Sequence, residues 1–135
     1  MASSLRHWLD ANPAVKHVTL VGHSGGGVIA LLIAERLPPV VRVVAMASPV
    51  NVHRWVALHG YRPLHGSLDP SQTGLHRAGV NRLLLLGEQD ANVPPDLFGP
   101  QAAALGIDVK VIAGEGHLCC HAANWGEFIG SLDRP

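Results

Sequence analysis

The sequence predicts an α/β protein, a three-layer sandwich with a mostly parallel sheet of about four strands. Three observations predict it. Four short, largely apolar runs of strand length recur along the chain. Stretches with helical spacing separate or flank them. Prolines and glycines stand at the joins. Right-handed crossovers between successive parallel strands place the strand C-termini on one edge, where ligand sites of open α/β sheets lie.

Each element has its own warrant. Residues 4–11 form a short helix with Leu5, Trp8 and Leu9 on one face, ended by Asn12 and Pro13. Residues 17–21 are the first strand. Residues 25–37 are a helix carrying Val28, Ala30, Leu31, Ala34 and Leu37, stopped by Pro38 and Pro39. Residues 40–45 are the second strand, rich in branched side chains. From Ser48 to Gly79 the periodicity weakens. Residues 52–58 suit a short helix, and Gly60, Pro63, Gly66, Pro70 and Gly74 mark turns. A connection of this length is uncommon in a compact domain, so it is expected to cover a site or another subunit. Residues 81–86 are the third strand. Their leucines suit a helix by type, but the shortness of the run and Gly87 favour a strand. Residues 95–105 are a helix with proline at its start, 107–112 the fourth strand, and 122–132 a last helix bearing Trp125, Phe128, Ile129 and Leu132.

A chain of 135 residues suits a single domain over 1–135, with a substrate or interface loop at 48–79, and its 47% apolar content suffices for a core. Ten acidic residues balance ten basic ones, which removes any bulk attraction for nucleic acid or anionic lipid. Arg6, Arg36, Arg77 and Arg82 are scattered rather than aligned in a stripe, so no nucleic-acid partner is expected. No run approaches the roughly 18 to 20 apolar residues of a membrane span. The N-terminus carries no apolar segment of signal-peptide length. Cys119 and Cys120 are adjacent and do not read as an ordinary loop-closing pair, which favours a reducing compartment. The expectation is a soluble cytoplasmic protein.

The segment Val21-Gly22-His23-Ser24-Gly25-Gly26-Gly27 joins the first strand to the helix that follows. Residues 22–26 match the G-x-S-x-G nucleophile elbow in its required strand–turn–helix context. Glycines at 22 and 26 let strand and helix approach closely around a strained serine. The hydroxyl of Ser24 then stands at a helix N-terminus, where backbone N–H groups, Gly25 first, face developing negative charge. The bland alternative is a glycine-rich turn that binds phosphate or nothing. G-x-G-x-x-G is absent, and no Lys-Ser or Lys-Thr follows, so neither a dinucleotide fingerprint nor a P-loop is present.

A serine nucleophile needs a base, and the base an orienting group. His117 follows the fourth strand in Gly-Glu-Gly-His, where glycines permit a sharp loop. Its competitor His121 falls in the first turn of the last helix. Asp90 follows the third strand in Leu-Gly-Glu-Gln-Asp. Glu88 is its nearest rival, Asp96 suits the cap of the next helix, and an Asx-turn is the structural alternative for Asp90 itself.

With Ser24, Asp90 and His117 in that chain order at three strand ends, the sequence resembles the α/β-hydrolase superfamily, of the lipase/esterase-like kind. The resemblance covers nearly the whole chain, through VGHSGG, LLLLGEQDANVP and GEGH. It implies Ser24 as nucleophile, Asp90 as triad acid, His117 as general base and then acid, and Gly25 as the oxyanion N–H. It implies a serine hydrolase, a carboxylesterase with a small-molecule ester as substrate and no cofactor. Apolar loops point to an uncharged or apolar acyl group. One departure is large: family members usually carry several strands before the elbow and a second oxyanion donor in an early loop, and both are missing here. The fold is thus expected to be a truncated α/β-hydrolase. A bare first strand invites pairing with another chain, so a homo-oligomer or a fragment of something longer is expected. The alternative is a catalytically inactive hydrolase-fold module for binding or assembly.

Other constellations carry less. Cys119, Cys120, His117 and His121 are metal-ligand types, but too tightly spaced for a tetrahedral site, so no metal is expected. The cysteines read as small core residues rather than nucleophiles. His53, His59, His65 and His76, with Trp55 and Tyr61, are solvated loop residues or the lining of a pocket or interface. His23 is expected to pack beside the serine rather than act as base.

Overall fold

The computed structural model describes residues 1–119 and residue 130. The last helix expected over 122–132 falls, but for Gly130, outside the described residues, as does His121. In chain order the elements are α1 (Ala2–Ala11), β1 (Val18–His23), α2 (Gly25–Ala34), β2 (Val40–Met46), α3 (Val52–Leu58), α4 (Pro70–Thr73), β3 (Asn81–Gly87), α5 (Pro95–Ala104) and β4 (Asp108–Ile112). The four strands lie side by side in sequence order, and each pair is parallel. The architecture is a three-layer α/β sandwich, a truncated α/β-hydrolase-like fold.

Strand periodicity divides the core. Val43 and Ala45 of β2 and Leu84 and Leu86 of β3 join one cluster with Leu9 of α1, Leu31 of α2 and Phe98 of α5. Val44, Met46 and Leu85 form a smaller cluster, with Leu83 against it. The register sets Ala45 beside Leu84 and Met46 beside Leu85, so side chains of one face meet side chains of the same face. Leu84 and Leu86 join the larger cluster and Leu85 the smaller, so the leucine run is a strand buried on both sides, and each fully buried leucine contributes about 1.5–3 kcal/mol.

Several sequence expectations need correction. Trp8 is 51% exposed, while Leu9 is buried and Leu5 packs against the core, so the apolar face of α1 turns past the tryptophan. Helix α2 ends at Ala34 rather than Leu37. Pro38 disfavours helix at Leu37, and Arg77 supplies the stop: its Nη1 donates to Ala34 O at 2.6 Å and to Leu37 O at 2.7 Å, satisfying carbonyls that a helix end leaves unpaired. Glu35 accepts the backbone N–H groups of His76 and Arg77, both at 2.8 Å, and pairs with Arg82. Arg77 and Arg82, scattered in sequence, thus converge on one helix end. Burial pushes the Glu35 carboxyl up, but the hydrogen bonds from Arg77, Arg82 and His76 outweigh it and hold it below the usual carboxylate value.

The weakly periodic middle is also better ordered than its turns suggest. Asn51 caps α3 by accepting Arg54 N–H at 2.8 Å. Asp69 caps the short α4 through Ser71 N–H at 2.9 Å, and its other oxygen accepts the backbone N–H and Nδ1–H of His53 at 2.9 and 2.8 Å. One buried carboxylate therefore fastens α4 to the start of α3. Burial pushes it up, but these donors outweigh that and hold it below its usual value.

Candidate active site

Strand β1 ends at His23 and α2 begins at Gly25, which leaves Ser24 alone at the turn. Ser24 has φ 52° and ψ −124°, outside the comfortable regions for a residue with a β-carbon. Strain of this kind costs about 1–3 kcal/mol and persists only where the surroundings over-determine it. Here Ser24 N–H donates to Met46 O at 2.7 Å, and Gly27 N–H donates to Ser24 O at 3.1 Å. The buried Ser48 hydroxyl donates to the same Met46 carbonyl at 2.9 Å, so the end of β2 braces the elbow.

The glycines divide the work differently from the expectation. A β-carbon on Gly22 would lie 2.4 Å from Gly26 C and O, so only glycine fits there. A β-carbon on Gly26 would meet nothing within 4 Å. The expected need for glycine at 26 is therefore corrected: its backbone is the wall that Gly22 must clear. Gly27 is the second crowded position, where a β-carbon would lie 2.0 Å from Ser48 Oγ. Gly25 is the first residue of α2, and its N–H belongs to the opening turn that has no intrahelical acceptor.

Asp90 lies just beyond β3, its side chain wholly buried, and His117 lies in the loop beyond β4. His117 Nδ1 donates to Asp90 Oδ2 at 2.9 Å. Asp90 Oδ1 accepts the backbone N–H groups of Asn92 and Val93 at 2.8 and 2.9 Å. Asp90 therefore makes the Asx-type turn and the histidine bond at once, one oxygen for each. The rival Glu88 accepts Gly114 N–H at 2.9 Å and staples the loop after β3 to the loop after β4. The same two loops are pressed together at Gly87, where a β-carbon would lie 2.4 Å from Gly116 O. Asp96 lies in the first turn of α5 but makes no capping bond; Pro94 is the cap residue, which corrects the expected role.

His23 packs its ring 5.2 Å from that of His117, and its Nε2–H donates to His117 O at 2.8 Å. The residue before the serine thus holds the backbone of His117. The hydroxyl of Ser24 makes no hydrogen bond to His117 or Asp90 among the described residues. Cys119 is fully buried and disulfide-bonded, against the reduced thiols that adjacent cysteines suggest.

One cavity opens beside the elbow, and a second shares Val52, Leu64 and Ser67 with it. The first, about 390 Å³, runs from Ser24 and Gly25 between α2 (Val28, Ile29) and Trp55 and Leu68. The second, about 180 Å³, lies against α3 and includes Val56, Ala57 and Tyr61. Asn92, which the sequence did not single out, ties this region to the Asp90 loop: its side chain accepts from Trp55 Nε1 and its carbonyl from His59 Nε2, both at 2.8 Å. Its place two residues after Asp90 was the available signal. Asp69 was also missed, because its histidine partner lies in another short helix.

Among the described residues no helix is long and apolar enough to cross a membrane. Residues 1–127 match the model of the Esterase family, described as "Putative esterase". No curated protein matches the chain. Solved structures are similar in fold. A CIB-like hydrolase from Thermoplasma acidophilum is 25% identical with a TM-score of 0.61, over 97% of this chain and 55% of that one. The esterase domain of a Rhodothermus marinus protein is 21% identical with a TM-score of 0.70, over 98% and 67%. An α/β hydrolase from a lagoon-sediment metagenome of Mar Chica, Morocco, is 20% identical with a TM-score of 0.68, over 97% and 67%. The chain spans 55% to 67% of the length of these three. From elbow, sheet and family match together, the chain belongs to the Esterase family, on a truncated α/β-hydrolase fold.

Proposed function

We propose that the chain is a serine hydrolase that cleaves carboxylic esters through Ser24, His117 and Asp90. Ser24 Oγ attacks the ester carbonyl carbon as its proton passes to His117 Nε2. Asp90 holds His117 with Nδ1 protonated, which leaves Nε2 as the basic nitrogen, and it stabilises the imidazolium that forms. Gly25 N–H donates to the tetrahedral oxyanion. The C–O bond to the alcohol breaks and His117 gives that alcohol its proton. Water then attacks the acyl-enzyme, with His117 as base and then acid, releasing the carboxylic acid and restoring Ser24. No step calls for a metal or organic cofactor.

The observation that carries this reading is the Asp90–His117 bond, made at the sheet edge where the strained Ser24 elbow also stands. Hydrolysis of p-nitrophenyl acetate tests it: wild type should turn over, and Ser24→Ala and His117→Ala should lose nearly all of that rate with unchanged circular dichroism. The second reading, an inactive binding or assembly module, is favoured by the lack of a hydrogen bond from Ser24 Oγ to His117 among the described residues. Absence of turnover in folded wild type would put it ahead.

The same reading includes a homo-oligomer. β1 is an edge of the described sheet, and pairing with a second copy would cover that edge. A monodisperse monomer in light scattering at micromolar concentration would overturn that part alone.

A further inference from the structure

We infer that the esters taken are those of apolar, medium-chain acyl groups, seated in a two-chamber channel that starts at Ser24 and narrows at Val52, Leu64 and Ser67. This rests on the serine-hydrolase reading above. The inner cavity opens on Ser24 and Gly25, and among the described residues no charged side chain lines it. Its volume of about 390 Å³ falls in the range of small-molecule sites, about 300–1,000 Å³. Val52, Leu64 and Ser67 line both this cavity and the outer one, so the two share a wall. Among the described residues, His53 and Tyr61 are the ionisable groups that line the outer cavity, and His53 Nδ1 is already committed to Asp69. Among the described residues, neither chamber is lined by a lysine or arginine that could meet a second carboxylate.

The channel takes the acyl half rather than the alcohol half for a geometric reason. The departing alcohol must lie where His117 can protonate it. His117 and Asp90 are not among the lining residues of either chamber, whereas Ser24 and Gly25 line the inner one. A chamber that meets the nucleophile but not the base suits the group that stays attached to the serine. An acyl chain that buries more methylenes along this wall gains transition-state binding with each one, and the gain ends when the outer chamber is full.

The test compares p-nitrophenyl acetate, butyrate and octanoate. In wild type, kcat/KM should rise from acetate to octanoate by about tenfold or more, the scale on which apolar pockets discriminate methylenes. Leu64→Trp, which fills the shared wall, and Ala57→Trp, at an exposed position of α3 that lines only the outer chamber, should each cut the octanoate-to-acetate ratio by about tenfold. Ala57→Trp keeps the test alive if Leu64→Trp misfolds. A binding readout separates this inference from the catalytic reading: octanoic acid, but not acetic acid, should raise the thermal midpoint of Ser24→Ala protein, and Leu64→Trp in that background should abolish the rise. Turnover with a flat or falling chain-length profile, and no stabilisation by octanoic acid, would overturn the channel and leave the serine hydrolase standing. Stabilisation by octanoic acid without turnover of any ester would support the channel and overturn the catalytic reading. Neither turnover nor stabilisation would overturn both.

Discussion

His117 donates from Nδ1 to Asp90 Oδ2 at 2.9 Å, while the other oxygen of the same carboxylate is held by two backbone N–H groups of its own loop. The carboxylate is therefore held by bonds independent of the histidine, and it can impose one tautomer on the ring. Asp90→Asn keeps the size but offers an amide that can present its N–H to Nδ1. A neutral triad member of this kind costs about 10⁴-fold in kcat. We expect a loss of that order in ester turnover, with the thermal midpoint lowered only modestly. If His121→Ala is the inactive variant and His117→Ala is not, the base has been misassigned.

His23 should act on the reaction through His117. His23→Phe retains a ring beside His117 but removes the Nε2–H donor to the His117 carbonyl. kcat for p-nitrophenyl acetate should fall by about tenfold, the worth of one hydrogen bond of roughly 1.4 kcal/mol, with KM nearly unchanged. A purely structural role would instead lower the thermal midpoint and leave kcat of the folded fraction intact.

The crowding at the elbow predicts opposite outcomes at two glycines. Gly22→Val places carbon against the Gly26 backbone and should destabilise by at least about 3 kcal/mol, or prevent folding, since backbone cannot move aside as a side chain can. Gly26→Ala meets open space on a helical residue and should stabilise by about 0.5–1 kcal/mol. Urea unfolding of the two variants decides both.

Stability should fall with acid through Glu35 and Asp69. Both carboxyls titrate lower in the folded chain than their ordinary values of 4.5 and 3.8. Each thus contributes stability that is complete above the unfolded pKa and is lost as pH falls through the folded one. The thermal midpoint should hold with respect to these groups above about pH 5 and drop progressively below it. Glu35→Gln should be less stable at pH 7 and should show a shallower acid slope; an unchanged slope would remove Glu35 from the account.

Much of this was legible in the sequence because it is local. The order of strands and helices follows from apolar runs such as 81–86 and their bounding glycines and prolines. Ser24, Asp90 and His117 are recognisable because each stands just past a strand end, and parallel strands bring such ends to one edge. The rest depends on contacts between distant residues. The early end of α2 depends on Arg77, which reaches back to the carbonyls of Ala34 and Leu37. The order of the middle segment depends on Asp69 meeting His53, and its placement over the site depends on Asn92 meeting Trp55 and His59. The unequal demands on Gly22 and Gly26 depend on which way each β-carbon would point, a property of the folded turn and not of the motif.

Everything proposed for the site requires Ser24 to be an activated nucleophile. Its most direct test is the intact mass of the folded chain after treatment with a fluorophosphonate, beside a Ser24→Ala control. An activated Ser24 gives one adduct on wild type and none on the control. A folded wild-type chain that takes no adduct would contradict it.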